Sequence, residues 1–331
     1  MAKLIGTHNG HFHCDEALAV FMLKKTAQFA EADLVRTRDP AKLSTCDIVV
    51  DVGGVYDPNL HRYDHHQRGF EETFDKAHKT KLSSAGLVYK HFGHEIIAWE
   101  LGLPMGNDEV DLLYHKVYDD FIEALDGNDN GINQYPSDLE PAYKEATSLP
   151  SRVGKLNPWW NQKVSDAQVD EQFLKASQLA GSELLETIHY LHKAWLPARS
   201  LVAQALAGRK EADPASGRII ILSQACPWKE HLFEMEKHLL KDESRIATEG
   251  VLYVLYPDES GNWRVQCVPK KSAGFENRKS LPSSWCGVRD EELSKLTGIP
   301  DCIFVHASGF IGGNKTKEGA LAMATKALTM D

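Results

Sequence analysis

Hydrophobic positions in the first 130 residues alternate between strand and helix spacing. Lys3–Thr7 forms a short apolar strand that runs into a histidine. Asp15–Gln28 places Leu18, Val20, Phe21, Met22 and Leu23 at helical spacing, and its early acidic pair, Asp15–Glu16, suits the positive end of a helix. Asp33–Arg36 is strand-like. Asp47–Val52 (DIVVDV) is a continuous β-branched run closed by Gly53–Gly54, as expected of a strand covered on both faces. Ser83–Phe92 and Glu109–Leu125 have amphipathic helical patterns. This order, strand–helix–strand–strand–loop–helix–helix, predicts a mostly parallel sheet flanked by helices.

Residues 136–166 are rich in Pro, Ser and Asn, with Pro158 preceding Trp159–Trp160, and they read as a connector. Ala167–Leu206 is helical with a break expected near Pro197. A second alternating segment follows: strand Arg218–Leu222, helix Trp228–Leu240, then strands Val251–Tyr256 and Trp263–Val268 about a Pro257–Asn262 hairpin loop. Strand Cys302–His306 leads to a glycine turn at Gly309–Gly313 and a final helix to about Leu328. A chain of 331 residues exceeds what most single cores support. The expected fold is therefore α/β: a mostly parallel-sheet catalytic domain at 1–150, a helical connector at 151–212 and a smaller α/β substrate domain at 213–331. The active site is expected in the cleft between the two α/β domains.

With 42% apolar and 25% charged residues, the chain has the composition of a globular protein. No window approaches the ~18 consecutive apolar residues of a membrane helix. No secretory signal or transit peptide is visible, so cytoplasm or nucleus is the expected location. The six cysteines form no C-x-x-C pair, which argues against a structural zinc site and suits a reducing compartment. A net charge of −10 argues against a broad basic face that coats nucleic acid, but it leaves room for a nuclease with local basic patches.

Placement of the histidines carries the chemistry. Six of the fifteen (His8, His11, His13, His61, His65 and His66) fall in the first 66 residues, beside acids at the expected C-terminal ends of strands. Ligands of open parallel sheets bind outside those ends. Three segments, His8–Asp15, Asp51 and Asp64-His65-His66, therefore deliver carboxylates and imidazoles to one edge. Such mixed donors suit Mn²⁺, Mg²⁺, Fe²⁺, Co²⁺ or Zn²⁺. A bridging aspartate between the lobes would hold two cations ~3.5–4 Å apart, the arrangement that stabilises in-line phosphoryl displacement.

Asp64-His65-His66 resembles the signature of the DHH phosphoesterase superfamily, which includes RecJ-type exonucleases, oligoribonucleases and family II pyrophosphatases. The strings GTHNGHFHCDEALA, VRTRDP, DIVVDVGG, HRYDHHQRGF, TKLSSAGLVY, CPWKEHL and VHASGFIGG resemble, more specifically, the Myg (melanocyte-proliferating-gene) exonuclease family, from about Leu4 to Ala327. The resemblance implies a DHH-type first domain and a hydrolase dependent on two divalent cations, Mn²⁺ or Mg²⁺, that removes nucleotides 3′–5′ from single-stranded RNA in RNA processing. It implies ligation by His8, His13, Asp15, Asp51, Asp64, His65 and either Asp126 or Asp129, with Asp126 preferred for its place at a helix end. The catalytic centre then falls on Asp64, His65 and His66. In the superfamily the first motif reads His-x-x-x-Asp-x-Asp. Here His13 occupies the middle carboxylate position, which lowers the site's negative charge and bears on metal preference, and either His8 stands one residue too far away or Asn9 replaces the leading histidine.

Substrate contacts are expected from Arg36 and Arg38 at a strand end, and from His306, Gly309, Gly312, Gly313 and Lys315, where glycines admit a phosphate or ribose to the backbone. For Arg36 and Arg38 a salt bridge with Asp39 or Asp33 is the alternative, and for His306 a buried strand position. Arg264, Lys270, Lys271, Arg278 and Lys279, with Trp263, Phe275 and Trp285, form a candidate single-strand surface. Cys14 beside His13 lacks an oxyanion turn, which argues against a thiol nucleophile. Two rivals stand beside the exoribonuclease: a pyrophosphatase or nucleotide phosphatase, and a non-catalytic regulatory protein retaining the fold. The sequence leaves the oligomeric state open, with a homodimer as one candidate.

Overall fold

The computed structural model describes residues 2–136, 138–271 and 274–330. Ser137 of the expected connector and Ser272–Ala273 of the basic stretch lie outside the described residues. The chain divides into two compact units, one ending at His192 and the other starting at Lys193.

The first unit holds a five-stranded sheet of β1 (Leu4–Thr7), β2 (Asp33–Arg36), β3 (Ile48–Val50), β4 (Tyr56–Asp57) and β5 (Arg62–Tyr63), in the order β2-β1-β3-β5-β4. All pairings are parallel except that of the edge strand β4. The sheet is thus mostly parallel, as its apolar runs predict. Because β1, β3 and β5 are neighbours running the same way, the residues that follow them emerge at one edge. Those residues are His8, Asp51 and Asp64.

Helix α1 (Cys14–Leu23) is buried on nearly every side and packs against α3 (Ser84–Leu101) and α7 (Asp166–Tyr190). A Cβ at Gly181 of α7 would lie 2.1 Å from the Phe21 ring, so only glycine permits that approach. Short helix α2 (Pro40–Leu43) lies between β2 and β3. The amphipathic run after α3 begins as α4 (Asp108–Val117), loosens into one π-helical turn at Tyr118–Ile122, and continues as α5 (Glu123–Asp129). Inside the expected connector stands a short helix, α6 (Leu149–Gly154). No helix among the described residues is long and apolar enough to cross a membrane.

The loop between β5 and α3 is fastened by His78, whose ring lies 2.8 Å from Asp75 and 2.9 Å from Asp119 of the π turn. Burial lowers its pKa, but the two carboxylates outweigh this and raise it above the usual 6.5. A raised folded pKa means that the stabilisation is fully present below the unfolded value and is lost as pH climbs through the folded value. Hydrogen exchange of the Ala77 and Leu82 amides, corrected for intrinsic rates, should therefore accelerate relative to β1 as pH rises above the usual histidine value of 6.5. The acceleration should vanish in His78→Gln; if it persists there, another group holds the loop.

The second unit contains α8 (Leu196–Ala207), α9 (Arg209–Ala212), β6 (Ile219–Ile221), α10 (Lys229–Leu240), α11 (Glu243–Glu249), β7 (Tyr253–Pro257), β8 (Trp263–Cys267), α12 (Asp290–Thr297), β9 (Cys302–Val305), β10 (Ile311–Asn314) and α13 (Lys317–Leu328). Its sheet runs β6-β7-β8-β10-β9, with β6 and β7 parallel and the remaining pairs antiparallel. One face packs Tyr253, Leu255 and Val265 against Met323 and Ala327 of α13. The other packs Ile220 and Val254 against Val202 of α8 and Leu232 of α10. Pro197 falls in the first turn of α8, directly after a π-helical turn at Leu191–Trp195.

The glycine turn expected at Gly309–Gly313 is corrected here. Gly309 turns with φ 68°, but Gly312 and Gly313 belong to β10, between β8 and β9. Helix α13 starts only at Lys317, where Thr316 Oγ1 accepts the Gly319 N–H at 3.0 Å. The glycines are needed for close packing: a Cβ at Gly312 would stand 3.1 Å from the Phe304 carbonyl oxygen and 3.0 Å from Leu281. Gly312→Val should therefore cost about 1–3 kcal/mol of stability by overpacking, read as a lower Tm. A variant with the wild-type Tm would show that the sheet yields there.

Candidate metal centre

His8 is buried where β1 ends, with Nε2 3.0 Å from Glu16 Oε1 and 3.3 Å from Asp51 Oδ2. Asp51 follows β3 in the left-handed region, φ 57°, a conformation that aspartate tolerates better than most residues. Gly53 and Gly54 then turn the chain back, so that the Gly54 N–H reaches Asp64 Oδ2 at 2.6 Å. The other Asp64 oxygen accepts the His66 backbone N–H at 3.0 Å and lies 2.9 Å from His66 Nδ1. His65 Nδ1 is 3.5 Å from Asp51 Oδ1, and its Nε2 is 2.9 Å from Asp129 Oδ2. Asp15, in the first turn of α1, accepts the Ser84 hydroxyl at 2.8 Å through one oxygen.

Three sets of side chains present ligand atoms within 4.8 Å of one another: His8, His13, Glu16 and Asp51; Asp51, Asp64, His65 and His66; His13, Asp15 and Asp129. Asp51 is common to the first two and His13 to the first and third, while Asp64 belongs to one. Among the buried polar atoms without a hydrogen-bond partner are Asp15 Oδ1, Asp51 Oδ1 and His65 Nδ1. Orphaned anionic oxygens and an imidazole nitrogen in adjoining sets fit the donor chemistry of a divalent cation. Beside them opens a cavity of about 280 Å³ lined by His11, His13, Asp15, His66, Asp129 and Pro150, among others.

The carboxylates crowd one another. Burial, with Asp51 and Asp129 close by, raises the Asp15 pKa; burial also raises that of Asp51 against its bond to His8. His8 is pulled down by burial but lifted by Asp51 and Glu16 to about 9. Burial would raise Asp129, yet His65 outweighs it and holds the carboxyl below its usual value. Added positive charge would relieve this crowding.

Sequence reasoning did not include Glu16. Its signal was the three-residue spacing from His13, a helix-capping position: the Glu16 carboxylate accepts the His13 backbone N–H at 2.9 and 3.0 Å. Asp126 lies outside the three sets. Its Oδ1 accepts the Ser83 N–H at 2.9 Å, the Ser83 hydroxyl at 2.7 Å and the Gly86 N–H at 3.1 Å, and its Oδ2 accepts the Tyr118 hydroxyl at 3.0 Å. Burial pushes its pKa up to about 7 against those four donors.

Arg36 is a brace. Its side chain is 1% exposed, pairs with Asp170 at 2.8 Å, donates to the Gly10 carbonyl at 2.9 Å, and lies over the rings of Phe12 and Phe173. The salt-bridge alternative thus describes it, with Asp170 in place of Asp33 or Asp39. Arg38 is exposed, with Nη2 3.2 Å from His8 Nδ1. Cys14 is buried and its thiol pKa is raised by burial, the opposite of an activated nucleophile. In the second unit, His306 is exposed rather than buried in its strand, and its Nδ1 accepts the Ser308 N–H at 3.1 Å. Lys315 is largely exposed, 3.6 Å from Asp301.

Fold and site together define a mixed α/β protein whose parallel strand ends carry an Asp/His cluster able to hold metal ions. Residues 4–328 match the family MYG1_exonuc, described as "Uncharacterised protein family (UPF0160)", and the chain belongs to that family. It is 50% identical over 330 residues to the MYG1 exonuclease of Homo sapiens, covering 98% of this chain and 85% of the relative. To the MYG1 exonuclease of Bos taurus it is 52% identical, covering 98% and 84%. To a MYG1 protein of Dictyostelium discoideum it is 48% identical over 325 residues, covering 98% and 96%. No solved structure matches the chain.

Proposed function

We infer that this chain is a divalent-metal-dependent phosphodiester hydrolase that removes nucleotides from the 3′ end of single-stranded RNA. The observation that carries the reading is the convergence of His8, His13, Asp15, Glu16, Asp51, Asp64, His65, His66 and Asp129 into adjoining ligand sets whose orphaned atoms are Asp15 Oδ1, Asp51 Oδ1 and His65 Nδ1. The exonuclease name borne by its mammalian relatives supports the same reaction class.

Asp51, shared by two sets, holds them in register, while His65 hydrogen-bonds Asp129 and fixes the third set against the second. Bound there, two divalent cations, Mn²⁺ foremost or Mg²⁺, supply neutralisation of phosphoryl charge and a lowered water pKa. The exposed Arg38 guanidinium lies beside His8, where a phosphate oxygen can be paired. Exposed His66 and half-buried Asp129 line the cavity and meet the substrate side of the cluster.

The test uses single-stranded RNA labelled at its 5′ end, with Mn²⁺, Mg²⁺ or chelator, resolved on a sequencing gel. A ladder shortening by single nucleotides from the 3′ end is expected with metal only. Activity confined to pyrophosphate or free nucleotides would replace the polymer substrate with a small one, and cleavage in chelator would remove the metal from the reaction.

A further inference from the structure

Residues 150–157 separate two cavities of the first unit. Pro150 and Gly154 line the metal cavity; Lys155, Leu156 and Asn157 line a second one of about 500 Å³. The two are tied together chemically. Asn157, 5% exposed, accepts the Phe12 N–H at 3.0 Å and donates to the Phe12 carbonyl at 2.8 Å, and Phe12 belongs to the loop that carries His8, His11 and His13. Asn157 thus joins the lining of the second cavity to the loop that carries the metal donors.

Its lining has a specific chemistry. Trp159 lines it at 67% exposure, and Trp160 beside it is 96% exposed. Large aromatic surface left in water at two successive positions calls for an occupant. Gln162 and Gln168 line the same cavity, and backbone N–H groups fix their orientation: Gln162 Oε1 accepts the Trp159 N–H at 2.9 Å, and Gln168 Oε1 accepts the Ser165 N–H at 2.9 Å. Because a backbone N–H only donates, each amide oxygen is settled and each amide NH₂ remains to donate. Lys155 and Lys163 add positive charge, while Glu171, the acid of the lining, is paired with Lys175 at 3.1 Å. An aromatic face, amide donors and ammonium groups together match a nucleobase with its carbonyl and ring-nitrogen acceptors and its backbone phosphate.

We propose that this cavity is a nucleobase subsite, in which Trp159 stacks on a base of single-stranded nucleic acid whose chain continues to the metal centre. The proposal deepens the hydrolase reading and rests on it for the identity of the polymer. It also accounts for how a chain of net charge −10 receives a polyanion: locally, on a short lysine-bearing loop, with stacking supplying much of the affinity.

The experiment measures binding of labelled single-stranded RNA and DNA by fluorescence anisotropy in chelator, using the full chain, Trp159→Ala and Trp159→Phe. Turnover with Mn²⁺ is then compared on RNA and on bis(p-nitrophenyl) phosphate. Trp159→Ala should weaken RNA binding roughly five- to hundredfold, Trp159→Phe should recover most of it, and the loss on RNA should exceed that on the small diester at least about fivefold. Equal binding of DNA would make the subsite indifferent to sugar and leave it standing. RNA binding that depends on Trp159 in a chain that hydrolyses no phosphodiester would keep the subsite and end the hydrolase reading. Wild-type RNA binding and turnover in Trp159→Ala would end the subsite and keep the hydrolase. Loss of a dimer in sedimentation, without loss of RNA binding, would assign the tryptophans to a contact between copies of this chain and overturn the proposal.

Discussion

Asp51→Asn is expected to abolish both the metal-induced rise in thermal stability and the hydrolysis of RNA, while the metal-free protein keeps its fold. Asparagine has the same shape and tolerates the left-handed backbone that Asp51 adopts, so the turn into Gly53–Gly54 survives. What it removes is charge, at the carboxylate lying 3.3 Å from His8 and 3.5 Å from His65. One amide cannot serve two ligand sets as a carboxylate does. A cation present at a hundred times its Kd should stabilise the wild type by about 2.7 kcal/mol, and the variant should show little of that. Turnover should fall by more than the roughly 10- to 100-fold that losing an outer partner of a ligand produces. The readouts are Tm with and without Mn²⁺, bound metal, and single-turnover cleavage. A variant that keeps the wild-type Tm shift and rate would remove Asp51 from the centre.

The ends of β1 and β3 are legible in sequence because each is announced twice, by an apolar run and by the imidazole or acid that follows it, whereas β5, only Arg62–Tyr63, has no apolar run and is marked by Asp64-His65-His66 alone. DIVVDV followed by two glycines admits few readings other than a covered strand and a turn, and the parallel-sheet rule then places Asp51 beside His8 and Asp64. What sequence does not carry is which neighbour each side chain meets. Glu16 and Asp15 look alike as acids in a first helical turn, but in the fold Glu16 meets His8 and Asp15 meets Ser84. Arg36 and Arg38 look alike as a phosphate-binding pair until α7, more than a hundred residues downstream, supplies Asp170 and Phe173 to take Arg36. Gly312 and Gly313 read as a turn because glycine favours no strand, and only the nearness of Phe304 and Leu281 shows why the strand needs them.

The choice between Asp126 and Asp129 has the same cause and gives the sharpest contrast between two variants. Three residues apart on one helix, both face the same side, so periodicity cannot separate them. The surroundings do. Gly86 of α3 has no side chain, and a Cβ there would lie 2.3 Å from Asp126 Oδ2; that space and the Tyr118 hydroxyl of the π turn seat Asp126 as the acceptor for four donors. Asp129, one turn on, meets His65 and the cavity. Asp126→Asn keeps an oxygen for the three donors at Oδ1 but sets an NH₂ group against the Tyr118 hydroxyl, which must turn to accept, and should cost about 1–3 kcal/mol for the donor so displaced. Gly86→Ala should reproduce that loss by displacing the same carboxylate. Asp129→Asn should leave Tm in chelator within about 1 kcal/mol of wild type, because the carboxylate is partly exposed and its neighbour His65 keeps an amide oxygen to bond. Its Mn²⁺ uptake by calorimetry should fall, and turnover with it. The reverse pattern, a stable Asp126→Asn that no longer takes up metal beside an Asp129→Asn that does, would exchange their roles.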